Sequence, residues 1–302
     1  MLLAALLLAT APAADRPQVP AAKVDMLVVV AHPDDETTFG GMLPWYATCR
    51  GKRVALVCLT SGEWGNGLPH HTDPDDEPDY SYDDSDVPRF PGVPADATYP
   101  CYFRETELAA ALAVFGVKDP PTLPRYQDDS DLEHWGTPDA AFELWGGREG
   151  VVDYLAEQVR RCRPDVVVTM AVDGYNGNPQ HMAASRGTVL AVDRAAASDG
   201  DAPAWSAPKL YVAVTQGSPD GIDAVPEAYR AAEGVVHGHD WELPCDASGG
   251  ETARSLCNRG NVLHASQNMQ PDCPKATDFV LIRTTVGPDV AARNNLFENL
   301  GD

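Results

Sequence analysis

No Cys-x-x-Cys pair occurs in this sequence, although it holds seven cysteines. That spacing is what cysteine zinc fingers and thioredoxin-type redox sites use, so both are excluded. Basic residues are scarce: 22 Lys and Arg stand against 45 Asp and Glu, a formal charge of -23. Such a field repels nucleic acid and anionic membrane surfaces, which leaves a neutral or cationic small molecule as the expected partner. After the first residues no apolar run is long enough to span a bilayer, so no integral membrane segment is expected in the mature chain.

What is present begins with MLLAALLLATAPA, the apolar part of a secretory signal, followed by an A-x-A-like site at Ala11 to Ala13. No Lys or Arg precedes it. Residues 1–14 are therefore expected to direct export, to a secreted or periplasmic location. Residues 15–24, rich in Pro and Ala, read as a linker. The remainder, 25–302, is long and apolar enough for one α/β domain with a sizeable core. In an exported chain Cys245, Cys257 and Cys273 could staple the loop-rich C-terminal third. The odd count leaves at least one thiol unpaired, and Cys58, inside VALVCLT, reads as a core residue.

The stretch around which the chain is organised is MLVVVAHPDDE, Met26 to Glu36. An unbroken apolar run stops at a small residue and meets a histidine, a proline and three carboxylates. That is the profile of a buried parallel strand ending in a polar site. His32 and Asp35 offer a nitrogen and an oxygen that suit Zn²⁺, while neighbouring Asp34 points elsewhere and is placed to face a water. A catalytic zinc uses three protein ligands, so a third must come from another part of the chain. A solvated acidic turn is the plainer alternative. Ionisable groups packed directly after an all-apolar strand are costly without such a use, which favours the metal.

A second strand, Val54 to Thr60, ends in TSGE and delivers Glu63 towards the same sheet edge. Residues 64–100 turn to Pro, Gly, Asp and Tyr, a long acidic insertion that reads as a solvated loop and lacks the spacing of a calcium-binding EF-hand. Helices are expected over Thr37 to Cys49, Arg104 to Val117 and Glu149 to Cys162, with a weak strand at Thr122 to Tyr126 leading into Asp128. Arg104 sits in a first helical turn, where the dipole disfavours it, so it is held by a carboxylate or used on a ligand. A third apolar strand, Asp165 to Ala171, completes a strand, helix, strand recurrence that requires a mostly parallel sheet. Beyond it, Gly and Asn make a turn, Pro179 suits a first helical turn, and His181 lands at a helix N-terminus. His181 is the natural third ligand, with Asp173 as a partner that could orient it. Further strands are expected at Lys209 to Thr215 and Asp278 to Thr285, with Pro219 to Ser255 irregular. His237, His239 and His264 read first as structural histidines.

Taken in order, AHPDDE, LTSGE, RETEL, NPQH and HASQ resemble the PIG-L/LmbE-like deacetylases over residues 25–270. The resemblance implies a Rossmann-like three-layer sandwich and one Zn²⁺ per chain, held by His32, Asp35 and His181, with Asp34 as general base. The substrate it implies is a small amino sugar or glycoconjugate of the N-acetylglucosamine type, from which an N-acyl group is removed. Glu63, Arg104 and Asp128 are expected on the substrate side. Many relatives carry H-P-D-H where this chain has Asn178, Pro179, Gln180 and His181. Asn178 can donate to an oxyanion but carries no proton, so either Asp34 serves as both base and acid or His264 supplies the proton. An amidase acting on a larger conjugate and a non-catalytic sugar-binding relative are the rival readings. The intact His32, Asp34, Asp35 and His181 set speaks against the second of these.

Overall fold

The computed structural model describes residues 16–62, 100–129, 136–197, 203–214, 236–287 and 295–300. Most of the acidic insertion, Glu63, the segment 1–14 and the side chain of His237 lie outside them.

Four apolar segments become the parallel part of one sheet. They are β1 (Met26–Val30), β2 (Val54–Cys58), β3 (Val166–Thr169) and β4 (Lys209–Val214). The side chains of β1, β2 and β3 are buried throughout, because helices cover both faces. Thr169 is the polar exception, and its hydroxyl donates to Val29 O at 3.0 Å. Two further strands, β5 (Val236–Asp240) and β6 (Ala276–Thr284), give the order β2-β1-β3-β4-β6-β5. β6 runs antiparallel to β4, and β5 antiparallel to β6. The mostly parallel sandwich read from the sequence therefore carries an antiparallel margin.

The helices start where local chemistry places them. In α1 (Pro100–Phe115), Leu108, Ala111, Leu112 and Phe115 are buried. Thr137 caps α2 (Pro138–Leu144), accepting from Ala140 N at 3.2 Å, and α3 (Arg148–Cys162) stops at Arg163 in the left-handed region. The fourth, α4 (Pro179–Ala195), opens on Asn178 and Pro179 and packs with α2 and α3. Thr252 caps α5 (Ala253–Asn261), which packs with α1. None of these is long and apolar enough to cross a membrane.

Three expectations change. The helix read over Thr37 to Cys49 breaks into a 3₁₀ turn at Asp35–Phe39, a short turn at Met42–Pro44 and a π-type turn at Trp45–Cys49. Gly40 at φ 60° interrupts it, and a Cβ there would sit 2.5 Å from the Trp241 ring. The supposed linker packs onto the domain: Val19 is fully buried, and its N–H donates to Gln158 Oε1 at 2.9 Å. The region read as irregular contains β5 and the start of α5. VHGHD carries two histidines and an aspartate and so offers no apolar run. Disulfides join Cys49 to Cys245 and Cys257 to Cys273, while Cys58 and Cys162 are buried free thiols.

Candidate metal centre

β1 lies between β2 and β3, and the chain leaves it in opposite directions to reach them. Side chains just past β1 and β3 therefore meet at the point where strand order reverses, the place where open α/β sheets bind ligands. His32 and Asp35 follow β1. His181 follows β3, in the first turn of α4. Their ligand atoms all lie within 4.8 Å of one another, and all three residues are buried.

The tautomers follow from the partners. His181 Nδ1 is 3.0 Å from Gly174 O, an acceptor only, so Nδ1 carries the hydrogen and Nε2 a lone pair. His32 Nε2 faces Gln180 Oε1 at 3.1 Å and Asp128 Oδ1 at 3.3 Å. Gln180 donates its amide nitrogen to Gln127 O at 3.2 Å, which fixes its oxygen towards His32. His32 Nε2 is then the N–H end, and Nδ1 presents a lone pair 2.9 Å from His181 Nε2. Asp35 adds its carboxylate, Oδ1 at 3.1 Å from His181 Nε2 and Oδ2 at 3.5 Å from His32 Nδ1. Three buried lone-pair donors thus converge with their hydrogens turned outward. Such an arrangement repels itself unless a cation sits among them, and the N, N, O set suits a divalent transition metal.

Asp128 and Asp35 draw positive charge, a proton or a metal ion, into the cluster. Burial works against charge on His32, yet Asp128 and Asp35 outweigh it and raise its pKa well above the usual value. Burial would raise Asp35, but His181 and His32 reverse this and hold it well below the ordinary carboxylate range. Its Oδ2 also accepts from Ala31 N at 3.1 Å and His32 N at 2.7 Å, locking the ligand loop to itself.

Asp34 is turned away from this cluster. It adopts φ 127°, ψ -23°, in the positive-φ region that disfavours side-chain-bearing residues. Its Oδ2 lies 3.1 Å from Arg104 Nη2, and it keeps partial exposure while Asp35 and Glu36 are buried. Burial raises the Asp34 pKa, and Arg104 opposes that rise.

Several expected roles change. Arg104 was placed on the substrate side; it is buried instead, donating to Gly62 O at 2.9 Å and Pro33 O at 2.7 Å as well as pairing with Asp34. Of the two uses left open for it, the carboxylate partner is the one seen. Asp128, also expected to bind substrate, is buried against the metal-side histidine and orients its ring. The Asp173 carboxylate accepts from Tyr175 N, and the Gly174 carbonyl orients His181. Asn178 uses its oxygen to cap α4, accepting from Gln180 N at 2.8 Å and His181 N at 3.2 Å, so the NH₂ end is the one able to donate. His264 is fully buried, with Nε2 2.7 Å from Glu36 Oε1, and does not open onto the cluster. Glu36 was given no role from the sequence, and Gln180 was noted only as a replacement within N-P-Q-H. The third carboxylate in D-D-E, once two had been given tasks, was the signal for Glu36.

Comparison with known proteins finds relatives of this chain. The family model described as PIG-L: GlcNAc-PI de-N-acetylase matches residues 27–192. A 1D-myo-inositol 2-acetamido-2-deoxy-alpha-D-glucopyranoside deacetylase of Rhodococcus erythropolis is 31% identical over 284 residues, 87% of each chain. The enzyme of the same name from Tsukamurella paurometabola is 35% identical over 235 residues, 74% of this chain and 71% of that one. Among solved structures, an N,N'-diacetylchitobiose deacetylase from Pyrococcus horikoshii aligns with a TM-score of 0.46 at 16% identity, over 86% of this chain and 77% of that one. With a family model matched over residues 27–192 and a relative 31% identical over 87% of both chains, the chain belongs to the PIG-L deacetylase family.

Proposed function

We propose that this protein is a zinc-dependent hydrolase that removes the N-acetyl group from an N-acetylglucosamine-type sugar or glycoconjugate. The observation that carries the reading is the convergence of three lone-pair donors beside a partly exposed carboxylate held by an arginine. A sugar carrying an inositol, as in the names of the two relatives, is the first substrate class to try.

His32 Nδ1, Asp35 and His181 Nε2 would hold the zinc ion. When bound, the metal supplies Lewis acidity, lowering the pKa of water and polarising an amide carbonyl. Asp34 accepts a proton from the attacking water as the C–O bond forms. Arg104 keeps that carboxylate aimed. The Asn178 NH₂ group donates to the oxygen that gains charge. As the C–N bond breaks, Asp34 passes its proton to the departing amine, leaving acetate and a free amino sugar. His264 is too deeply buried to reach that nitrogen.

Acetate release from a panel of N-acetylglucosamine compounds tests this, using the zinc-loaded protein beside Asp34→Asn. Release by the wild type that falls by about 10²- to 10⁴-fold in the variant, with zinc content unchanged, is the expected result. No release from any panel member by a zinc-loaded wild type would overturn the substrate class. Export of the chain belongs to the same reading and is supported by its two disulfides, which persist in oxidising compartments. Sequencing the N-terminus of the secreted product tests it, with a start after residue 14 expected.

A further inference from the structure

Glu36 and His264 lie beneath the site, and neither is given a task by the hydrolysis described above. Both are fully buried. Glu36 Oε2 accepts from Asp34 N at 3.0 Å, and its Oε1 takes the bond from His264 Nε2 at 2.7 Å. The group on the other end of Glu36 is therefore the backbone of the residue read as the base, at the point where φ reaches 127°. A conformation that side-chain-bearing residues rarely adopt persists only where surrounding bonds hold it.

The segment carrying His264 is itself anchored. Its N–H donates to Asn261 O at the end of α5, and its carbonyl accepts from Gln267 N. Two residues on, Ser266 donates through N and Oγ to Glu107, at 2.8 and 2.6 Å. Glu107 lies on α1, one turn beyond Arg104. One helix thus grips Asp34 twice: Arg104 holds its carboxylate, and Glu107, through Ser266, His264 and Glu36, holds its backbone.

We propose that Glu36 and His264 form a positioning pair that fixes the backbone of Asp34 so that its carboxylate faces the water rather than the metal. The proposal rests on the hydrolase reading for its kinetic consequence, but not for its structural one. Neither residue touches substrate, so the pair acts on turnover and leaves substrate and metal binding in place.

The test compares His264→Asn with His264→Gln. Glutamine is long enough to bring an N–H to the place of Nε2 and keep the bond to Glu36; asparagine has the same chemistry but stops short. In the zinc-loaded protein His264→Asn is expected to lower kcat by about 10²-fold, the loss typical of a misplaced reacting group. KM should stay within about twofold, since no binding contact is removed. His264→Gln is expected to recover about tenfold or more of that loss, the difference between a made and a missing charge-assisted bond. Equal loss in the two variants, or a loss carried by KM or zinc content, would overturn the proposal. Glu36→Gln serves if His264→Asn does not fold: weakening both bonds should lower kcat by about tenfold, and wild-type turnover would count against the pair. Crystal structures of the two His264 variants separate this idea from the hydrolase reading. Should the wild type release no acetate, that reading fails, yet the pair still requires Asp34 to leave positive φ in His264→Asn and keep it in His264→Gln. Unchanged φ in both would refute it.

Discussion

The parallel strands β2, β1, β3 and β4 and the antiparallel margin of β6, β5 and α5 contribute to one site in different ways. The parallel part carries the buried cluster: His32 and Asp35 follow β1, and His181 follows β3. The margin supplies none of these atoms but packs beneath the loop that carries two of them. Trp241 lies against Gly40, Ala253 against Gly41, and His264 binds Glu36. A strand edge can bring ligands together, but holding a loop in a strained shape needs a second surface behind it. Two disulfides fasten that surface. Both include a cysteine in or beside the margin, whereas the free thiols Cys58 and Cys162 lie in the core.

The sharpest way to break the comparison is to damage each region separately. His181→Ala, on the parallel side, is expected to abolish stoichiometric zinc binding and with it activity, while leaving the fold intact; zinc analysis of dialysed protein and circular dichroism check this. Retained zinc at one per chain would show that the ligands lie elsewhere. On the margin, Cys257→Ser with Cys273→Ser opens a link of sequence separation 16. The expected cost is about 3 kcal/mol of stability, read by denaturant titration, with zinc binding preserved in the folded protein. The smallest of the three changes is Gly40→Ala, whose Cβ would lie 2.5 Å from the Trp241 ring at a backbone φ of 60°. It is expected to cost about 1–3 kcal/mol and to lower kcat more than it raises KM, because the displaced loop carries Asp34. A loss of stability without any change in kcat would mean that the margin supports the fold alone.

The same division governs what could be read in the sequence. β1, β2 and β3 were legible because strands buried on both faces must be continuously apolar, and the polar residues that end them stand out. His181 was legible because Asn178 and Pro179 mark a helix start just beyond such a strand. β5 was not, since an edge strand such as VHGHD bears no apolar run. The partners of Arg104 and Asp128 were not legible for a related reason: a buried charge is defined by its partner, and Asp34 and His32 are brought to them only by the tertiary fold. The bond between Glu36 and His264 spans 228 residues, and the positive φ of Asp34 has no signature in residue type. The helix read over Thr37 to Cys49 failed because Gly40 answers to Trp241, 201 positions away, and not to its neighbours.

The most direct test of the account is anomalous diffraction at the zinc edge from crystals of the zinc-loaded protein. A single strong peak about 2.0–2.2 Å from His32 Nδ1, His181 Nε2 and an Asp35 carboxylate oxygen, with Asp34 outside that shell, is the predicted result. A peak bound to Asp34 in place of Asp35, or no peak among these three side chains, would contradict it.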